Sequence, residues 1–424
     1  MEYAFWMAIA FGFYMAWSIG ANDAANAMGT SVGSKAISFK EAIIIAAVFE
    51  FSGAILAGAG VADTMRKGIV DPTLFADPAM FPAGNGAEFF VWGMMAALIS
   101  AALWIHIAAF LGWPVSTTHS IVGAIAGFGC ASLGVTNVEW GSLATIASSW
   151  VVSPVVGGLL SFLVFSAIRK FIVESRNPNR GVRIFAPLMA FPVFAILAGM
   201  LFVKGFKNLS LDEYGIGMLQ VGLISVAFGV VCSVILAWIV RKIEIDPNAP
   251  LKERMTKIEQ IFRYLQVITA CFVAFAHGSN DVANSIGPLA AIVNTVDLGV
   301  ISSKVPVPTW VLGLGAVGIV IGLATYGYRV IETVGTKITE ITPSRGFAAE
   351  FGAASTILFG SQLGLPLSTT HTIVGAVIGV GFARGMNALN LRIILSIVKS
   401  WIYTIPFTAV LTILLYWLLT AIFV

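Results

Sequence analysis

Two aspartates, Asp23 and Asp281, lie inside long apolar segments of this 424-residue chain. Each stands in the same short polar motif, Asn-Asp-Ala-Ala-Asn at residues 22–26 and Asn-Asp-Val-Ala-Asn at residues 280–284. A carboxylate in hydrocarbon is costly, so it is rare and usually marks the path of an ion or a substrate. Carboxylate and carboxamide oxygens suit a hard cation such as Na⁺, although a proton relay or a structural hydrogen bond would need the same aspartates. The predicted Na⁺ ligands are Asp23, Asn26, Asp281 and Asn284.

A second motif, Pro-x-Ser-Thr-Thr-His, also occurs twice and ends at His119 and at His371. The two copies are separated by 371 − 119 = 252 residues, and the two acidic motifs by 281 − 23 = 258 residues. Two different motifs repeated at nearly one offset indicate an internal duplication. Polar motifs in corresponding halves of an apolar chain are typical of a transporter built from repeats.

The Ser-Thr-Thr triplets are candidates for binding an anion. Residues 351–383 contain no charged side chain, and this stretch of 383 − 351 + 1 = 33 residues is too short for two full spans, which need about 40. Gly364 and Pro366 break the preceding helix, so the triplet begins a shortened or re-entrant helix inside the membrane. Backbone N–H groups, hydroxyls and the helix dipole there suit phosphate, whereas ordinary helix capping is the alternative. The predicted phosphate ligands are Ser116, Thr117, Thr118, Ser368, Thr369 and Thr370.

The charge balance links the two motifs. No Lys or Arg lies centrally in a predicted span, so no basic side chain is available to neutralise a buried phosphate. Cations held by the two aspartates would supply that charge, which gives a physical reason for symport. The histidines lack the spacing of a metal site. Further residues linked to transport are predicted to be Asn22, Asn280, Glu50, Glu350, His119 and His371.

The composition predicts the elements that must position these residues. Hydrophobic residues make up 58% of the chain and charged residues 11%, and the mean hydropathy is +0.92. These values indicate a polytopic helical membrane protein, and the small net charge of +3 gives no support to nucleic-acid binding. The predicted spans lie near residues 3–28, 41–62, 89–111, 115–135, 141–168, 184–203, 216–240, 262–287, 308–330, 347–363, 367–383 and 392–423.

The fold class that follows is an all-α membrane protein with about twelve transmembrane helices in a 5+2+5 arrangement. Basic residues flank the middle pair, and the positive-inside rule puts both flanking loops in the cytoplasm and both termini outside. The two halves are then inverted-topology repeats with broken or re-entrant helices at the substrate site; spans 3–28 and 262–287 are expected to be interrupted there. The predicted divisions are 1–172 for the first repeat, 173–261 for the middle pair with its loops, and 262–424 for the second repeat.

These motifs resemble those of the inorganic phosphate transporter (PiT) family closely. The likeness rests on residues 22–27 and 280–285, each followed by Pro-x-Ser-Thr-Thr-His, and covers nearly the whole chain apart from the middle pair. It implies secondary active uptake of inorganic phosphate with Na⁺ or H⁺, in the cell membrane and commonly as a homodimer surrounded by lipid. It also implies that the acidic motifs hold cations, that the Ser-Thr-Thr triplets hold phosphate, and that Glu50 and Glu350 are linked to transport. Asn-Asp in both halves resembles the sodium-coupled members.

The leading hypothesis is therefore a Na⁺/phosphate symporter that is no enzyme and uses no cofactor besides its coupling ion. An H⁺-coupled symporter of phosphate or sulfate is the nearest alternative, because hydroxyls and helix ends would hold either oxyanion. Buried carboxylates argue against a passive anion channel. An intramembrane enzyme that pairs Ser116 or Ser368 with the nearby histidine is the remaining alternative, but such activity would not explain the duplication.

Overall fold

The computed structural model describes residues 2–58, 68–208, 217–246, 248–299, 301, 307–365 and 367–424, and Pro366 therefore lies outside the described residues. The helices of the first half are α1 (Glu2–Ile19), α2 (Ala25–Gly33), α3 (Phe39–Ala57), α4 (Gly86–Leu111), α5 (Thr117–Leu133) and α6 (Trp140–Ile168). The middle pair is α7 (Pro178–Asn208) and α8 (Met218–Arg241), which pack against each other. The later helices are α9 (Leu251–Leu298), α10 (Thr309–Tyr326), α11 (Tyr328–Glu332), α12 (Pro343–Gln362), α13 (Thr369–Arg384) and α14 (Leu391–Phe423).

Eight helical segments of the described chain are long and apolar enough to cross a membrane. Four predicted spans correspond to the shorter or less apolar helices α3, α5, α12 and α13. The helices that begin in the Ser-Thr-Thr motifs, α5 and α13, have only 17 and 16 residues, fewer than the about 20 of a full span. A total of twelve spans and an inverted topology remain predictions.

Two helical hairpins carry the Ser-Thr-Thr motifs at their turns. Helix α4 turns into α5 at residues 112–116, and the turn between α12 and α13 includes residues 363–365 and 367–368. Gly112 and Gly364 adopt left-handed backbone conformations, with φ of 68° and 70°, that end the first helix of each hairpin. The structure therefore agrees with the predicted break at Gly364.

Each hairpin packs against the last long helix of the opposite half. Helix α14 lies on α4 and α5, and α6 lies on α12 and α13. Small residues permit this close contact: a Cβ added at Gly127 would lie 2.5 Å from the Ala409 carbonyl oxygen, and one added at Gly379 would lie 2.1 Å from the Gly158 carbonyl oxygen. The last long helix of each half therefore packs on the hairpin of the other half.

The acidic motifs lie in continuous helical segments, so the predicted interruption of both spans is wrong. In the first half a π-helical turn, Gly20–Ala24, joins α1 directly to α2. In the second half Asp281 lies within α9, which runs without a break from Leu251 to Leu298. The backbone does not need to unwind because the polar side chains find hydrogen-bond partners at the hairpin turns. A π-helical turn is common at functional sites because it re-aims side chains without ending the helix.

Candidate functional site

The four motifs meet at one buried point. Asp23, His277 and Asp281 each bring one potential ligand atom within 4.8 Å of the others. The side chains of the acidic and Ser-Thr-Thr motifs around them are almost completely inaccessible to solvent. The structure therefore brings together the two aspartates that the sequence separates by 258 residues.

Asp23 receives hydrogen bonds from both hairpins. Thr117, at the start of α5, donates its hydroxyl at 2.6 Å and its backbone N–H at 3.3 Å to Asp23 Oδ2. Thr370, at the start of α13, donates its hydroxyl at 2.7 Å to Asp23 Oδ1. Asn26 Nδ2 donates to the same oxygen at 3.3 Å. A carboxylate at a helix N-terminus is stabilised by the helix dipole and by its N–H groups.

Asp281 has a different set of neighbours. The Thr369 hydroxyl donates to Asp281 Oδ2 at 2.5 Å, and His277 Nε2 lies 2.9 Å from the same oxygen. His277 Nδ1 lies 3.2 Å from Glu50 Oε1, so a buried imidazole separates two buried carboxyl groups. His277 is not among the site residues predicted from the sequence. Its spacing of four residues from Asp281 was a visible signal, because residues i and i+4 share one face of a helix.

The asparagines join the hairpin turns to the acidic motifs. Asn26 Nδ2 donates to the Thr370 hydroxyl at 3.0 Å, and Asn284 Nδ2 lies 3.1 Å from Thr117 Oγ1 and 3.3 Å from Thr118 Oγ1. Asn22 binds the backbone of the first turn: its Nδ2 donates to the Trp113 carbonyl, and its Oδ1 accepts from the N–H of residue 115. Asn22 thus positions a hairpin turn.

The two hairpin turns are also bonded to each other. Thr118 donates its hydroxyl to the Leu367 carbonyl at 3.1 Å, and Thr370 lies 3.0 Å from the Val115 carbonyl. The described part of the chain thus contains a reciprocal pair of contacts across the repeat, from the same position of each Ser-Thr-Thr triplet. The two turns form one polar unit.

The serines and histidines of the motifs shape the hairpin ends. Ser116 and Ser368 are the N-cap residues of α5 and α13, and their hydroxyl oxygens accept the backbone N–H of His119 and His371 at 3.2 and 3.1 Å. The histidine rings lie against each other, with centroids 4.3 Å apart, and each packs against a tryptophan. Among the described residues, neither ring is hydrogen-bonded to a motif serine, so the Ser–His pairing of an enzyme is not formed.

Several buried polar atoms at this point have no hydrogen-bond partner within the described chain. They include three oxygens of the acidic motifs, namely Asn26 Oδ1, Asp281 Oδ1 and Asn284 Oδ1. An unsatisfied buried acceptor costs roughly 1–3 kcal/mol, which a cation coordinated by these oxygens would offset. Oxygen-only donor sets suit hard cations, so this arrangement fits a metal ion such as Na⁺. Asn280, by contrast, has an amide nitrogen, Nδ2, that lacks a partner among the described residues.

The two predicted glutamates occupy different places. Glu50 belongs to the group around Asp281 through His277. Glu350 lies apart from the aspartates, in contact with Thr30, Ser31 and α9 side chains, and is fully buried. The sequence could not distinguish these two environments.

Comparison with known proteins gives a consistent result. The profile of the "phosphate transporter family" matches residues 19–412. Proteins named as phosphate permeases are 46% identical in Pyrococcus abyssi, over 93% of each chain, and 43% identical in Haemophilus influenzae, over 99% of this chain and 97% of that one. The chloroplastic inorganic phosphate transporter 2-1 of Arabidopsis thaliana is 43% identical over 97% of this chain and 71% of its own. A solved structure named "The sodium-dependent phosphate transporter" superposes over 100% of both chains, with a TM-score of 0.88 and 39% identity.

Proposed function

This chain belongs to the phosphate transporter family, and on that premise we propose that it imports inorganic phosphate by symport with Na⁺. The members of this family are transporters, so the chain is a multi-pass membrane transporter and not an enzyme. Coupling to Na⁺ is suggested by the related solved structure, which is named as a sodium-dependent transporter. The observation that carries the proposal is the meeting of two buried aspartates with two helix N-termini at one point.

The cations would be held by the acidic motifs. Asp23 and Asp281 supply negative charge, and Asn26 and Asn284 supply the partnerless oxygens beside it. No Lys or Arg of the described chain forms an ion pair with either aspartate. Two buried carboxylates this close repel each other strongly in a medium of low dielectric, and bound Na⁺ would remove that repulsion.

Phosphate would bind at the starts of α5 and α13. The Ser116 and Ser368 hydroxyls donate no hydrogen bond within the described chain, so their protons can turn toward an anion. Thr117, Thr369 and Thr370 now donate their hydroxyl protons to the aspartates. The Thr118 hydroxyl donates to the Leu367 carbonyl of the other hairpin turn.

The threonine contacts give a physical basis for coupling. A hydroxyl has one proton, so a threonine that donates to an aspartate cannot donate to phosphate at the same time. Na⁺ on the aspartate would neutralise the carboxylate and let the hydroxyl turn its proton toward the anion. Cation binding would therefore precede tight phosphate binding, and empty carriers would not move phosphate alone.

We further propose the inverted-repeat organisation as the basis of alternating access. The exchange of α6 and α14 between the hairpins of the two halves supports a first repeat at residues 1–172, a middle pair at 173–261 and a second repeat at 262–424. Location in the cell membrane, termini on the extracytoplasmic side and a lipid-embedded homodimer belong to the same proposal.

One observation favours the alternative of H⁺ coupling. Glu50, His277 and Asp281 form a continuous series of titratable groups that ends at the Thr369 hydroxyl. Such a series could carry a proton to the centre of the protein. The same hydroxyl-lined helix ends would accept sulfate as readily as phosphate, so the second candidate is an H⁺-coupled symporter of either oxyanion.

Uptake of radiolabelled phosphate into proteoliposomes tests the proposal. An inward Na⁺ gradient should drive accumulation at equal pH, and Asp23→Asn should abolish it. Asp77→Asn changes an exposed aspartate and serves as the control, which should retain uptake. Accumulation driven by an H⁺ gradient alone would contradict Na⁺ coupling and favour the alternative.

A further inference from the structure

A cavity lies against the turn of the first hairpin. Its volume is about 180 Å³, which is room for several water molecules. Gly112, Trp113 and Pro114 of the turn form one wall. Pro114 precedes Ser116 by two residues, a distance of at most about 7 Å along the chain, so the cavity reaches close to the predicted phosphate ligands. We call this space the hairpin cavity.

The exposed side chains around the hairpin cavity are mainly basic. Lys337 lines the cavity, and Ser396 lines it from α14. Arg392 and Lys399 stand four residues before and three residues after Ser396, positions that share its face of the helix. Glu332 lies 3.2 Å from Lys337 Nζ. Three positive charges and one negative charge leave 3 − 1 = +2, which attracts anions.

Lys337 can change its partner at little cost. Its ion pair with Glu332 is open to solvent, since the two side chains are 44% and 63% exposed. Such exposed pairs are weak because water screens the attraction and both long side chains must be held still. A lysine also has three donor hydrogens on a flexible stem, so it can turn from the carboxylate to a phosphate oxygen.

We propose that the hairpin cavity is the cytoplasmic vestibule of the phosphate path and that Lys337 is the basic side chain that phosphate meets there. This inference rests on the proposed phosphate symport. In the proposed topology the C-terminus is extracytoplasmic, so α14 begins on the cytoplasmic side, where Ser396 lies six residues into the helix. The central site holds its anion with hydroxyls and N–H groups, and Lys337 offers a positive charge at the next place along the path.

The segment that carries Lys337 also contacts the central site. This segment, Thr333–Lys337, is a π-helical turn that packs on α2, the helix that begins in the first acidic motif. A Cβ added at Gly335 would lie 2.3 Å from the Gly29 carbonyl oxygen, so the two backbones are in close contact. The Thr333 hydroxyl donates to the Gly112 carbonyl at 2.9 Å and ties the same turn to the hairpin. A shift of α2 on Na⁺ release would therefore move the wall of the vestibule.

Modification of a cysteine in the cavity wall tests the inference on the purified full-length protein. Ser396→Cys places a thiol there, and mass spectrometry of the modified peptides distinguishes it from the native Cys130, Cys232 and Cys271. The thiol is treated with two methanethiosulfonates, one carrying an anionic sulfonate and one a cationic trimethylammonium group. Relative to their rates with a free thiol in solution, the anionic reagent should react at least about tenfold faster than the cationic one.

Lys337→Gln removes the charge that is assigned to the vestibule. In the Ser396→Cys protein it should lower the ratio of the two rates at least about threefold, and Lys337→Arg should preserve the ratio. Lys252→Gln is the matched control, because it removes an exposed lysine at the start of α9, and it should leave the ratio unchanged. A ratio that does not respond to Lys337→Gln, or a thiol at residue 396 that reacts with neither reagent, would overturn the inference.

Phosphate exchange shows whether the vestibule lies on the transport path. In right-side-out proteoliposomes Lys337→Gln should raise the internal phosphate concentration for half-maximal exchange at least about threefold. The external Na⁺ concentration for half-maximal uptake should stay unchanged. An unchanged dependence on internal phosphate would contradict the role of Lys337. Failure of Na⁺-driven uptake by the wild-type protein would refute the proposed symport, whereas the thiol modification rates would still decide whether the cavity attracts anions.

Discussion

Thr370 and Thr118 occupy the same position of the two Ser-Thr-Thr triplets but have different partners. The Thr370 hydroxyl donates to Asp23 at 2.7 Å, whereas the Thr118 hydroxyl contacts the Leu367 carbonyl and Asn284 and touches neither aspartate. Substitution by valine keeps the shape of the side chain and removes only the hydroxyl. Thr370→Val should therefore impair the coupling of phosphate binding to Na⁺, and Thr118→Val should not.

The size of the difference follows from the bond that is lost. A hydrogen bond to a charged group contributes about 1.5–3 kcal/mol, and one between neutral groups about 1 kcal/mol. In the proposed cycle the Thr370 hydroxyl leaves Asp23 when Na⁺ binds and donates to the charged phosphate instead. Thr370→Val should therefore weaken the Na⁺-coupled binding of phosphate and raise the Na⁺ concentration for half-maximal uptake roughly 10- to 150-fold. Thr118→Val should change that value less than about fivefold, since it removes only contacts between neutral groups.

The assay is phosphate uptake into proteoliposomes at a fixed phosphate concentration and increasing external NaCl. Melting temperatures of both variants control for folding, because each loses one contact between the hairpin turns. Equal shifts in the Na⁺ dependence of the two variants would exclude this role of Thr370, since they would show that its contact with Asp23 does not distinguish it from Thr118.

Two further substitutions probe the surroundings of Asp281. Gly278→Ala would place a Cβ 2.2 Å from the Glu50 carbonyl oxygen, so we expect a loss of about 1–3 kcal/mol in the free energy of unfolding, seen as a lower melting temperature. Gly313→Ala is the control, because no atom lies within 4 Å of the added Cβ. Equal melting temperatures of the two variants would contradict this packing. The glutamine of His277→Gln cannot contact both Glu50 and Asp281, so one carboxyl group is left without a partner. Na⁺-driven uptake should then fall by more than about tenfold. An unchanged Na⁺ dependence of uptake would exclude a positioning role for His277.

The meeting of the two acidic motifs could be predicted from the sequence, because polar side chains in apolar segments avoid the lipid and pack against other polar groups. The hairpin turns were equally visible, since Gly364 and the short charge-free stretch around it limit the helix lengths. The interruptions predicted in the motif helices were wrong for a physical reason. Sequence shows polar residues and glycines, but it does not show that Asn22 bonds to the Trp113 carbonyl, which satisfies the side chain while the backbone remains helical.

The partners of the buried glutamates could not be predicted. Glu50 meets His277 across 227 residues of chain, and Glu350 meets Thr30 across 320. Each of these residues alone is compatible with an ordinary helix face. Only the packing of α3 and α12 against α9 brings them together, and a single sequence contains no record of which helices are neighbours.

The sharpest test of Na⁺-coupled phosphate binding is the dependence of phosphate affinity on Na⁺. Calorimetric titration of phosphate into the purified protein should give a much lower Kd in NaCl than in choline chloride at equal ionic strength. The difference should vanish in Asp23→Asn/Asp281→Asn. Equal phosphate affinity with and without Na⁺ would contradict the account, because it would show that the anion site is complete before any cation binds.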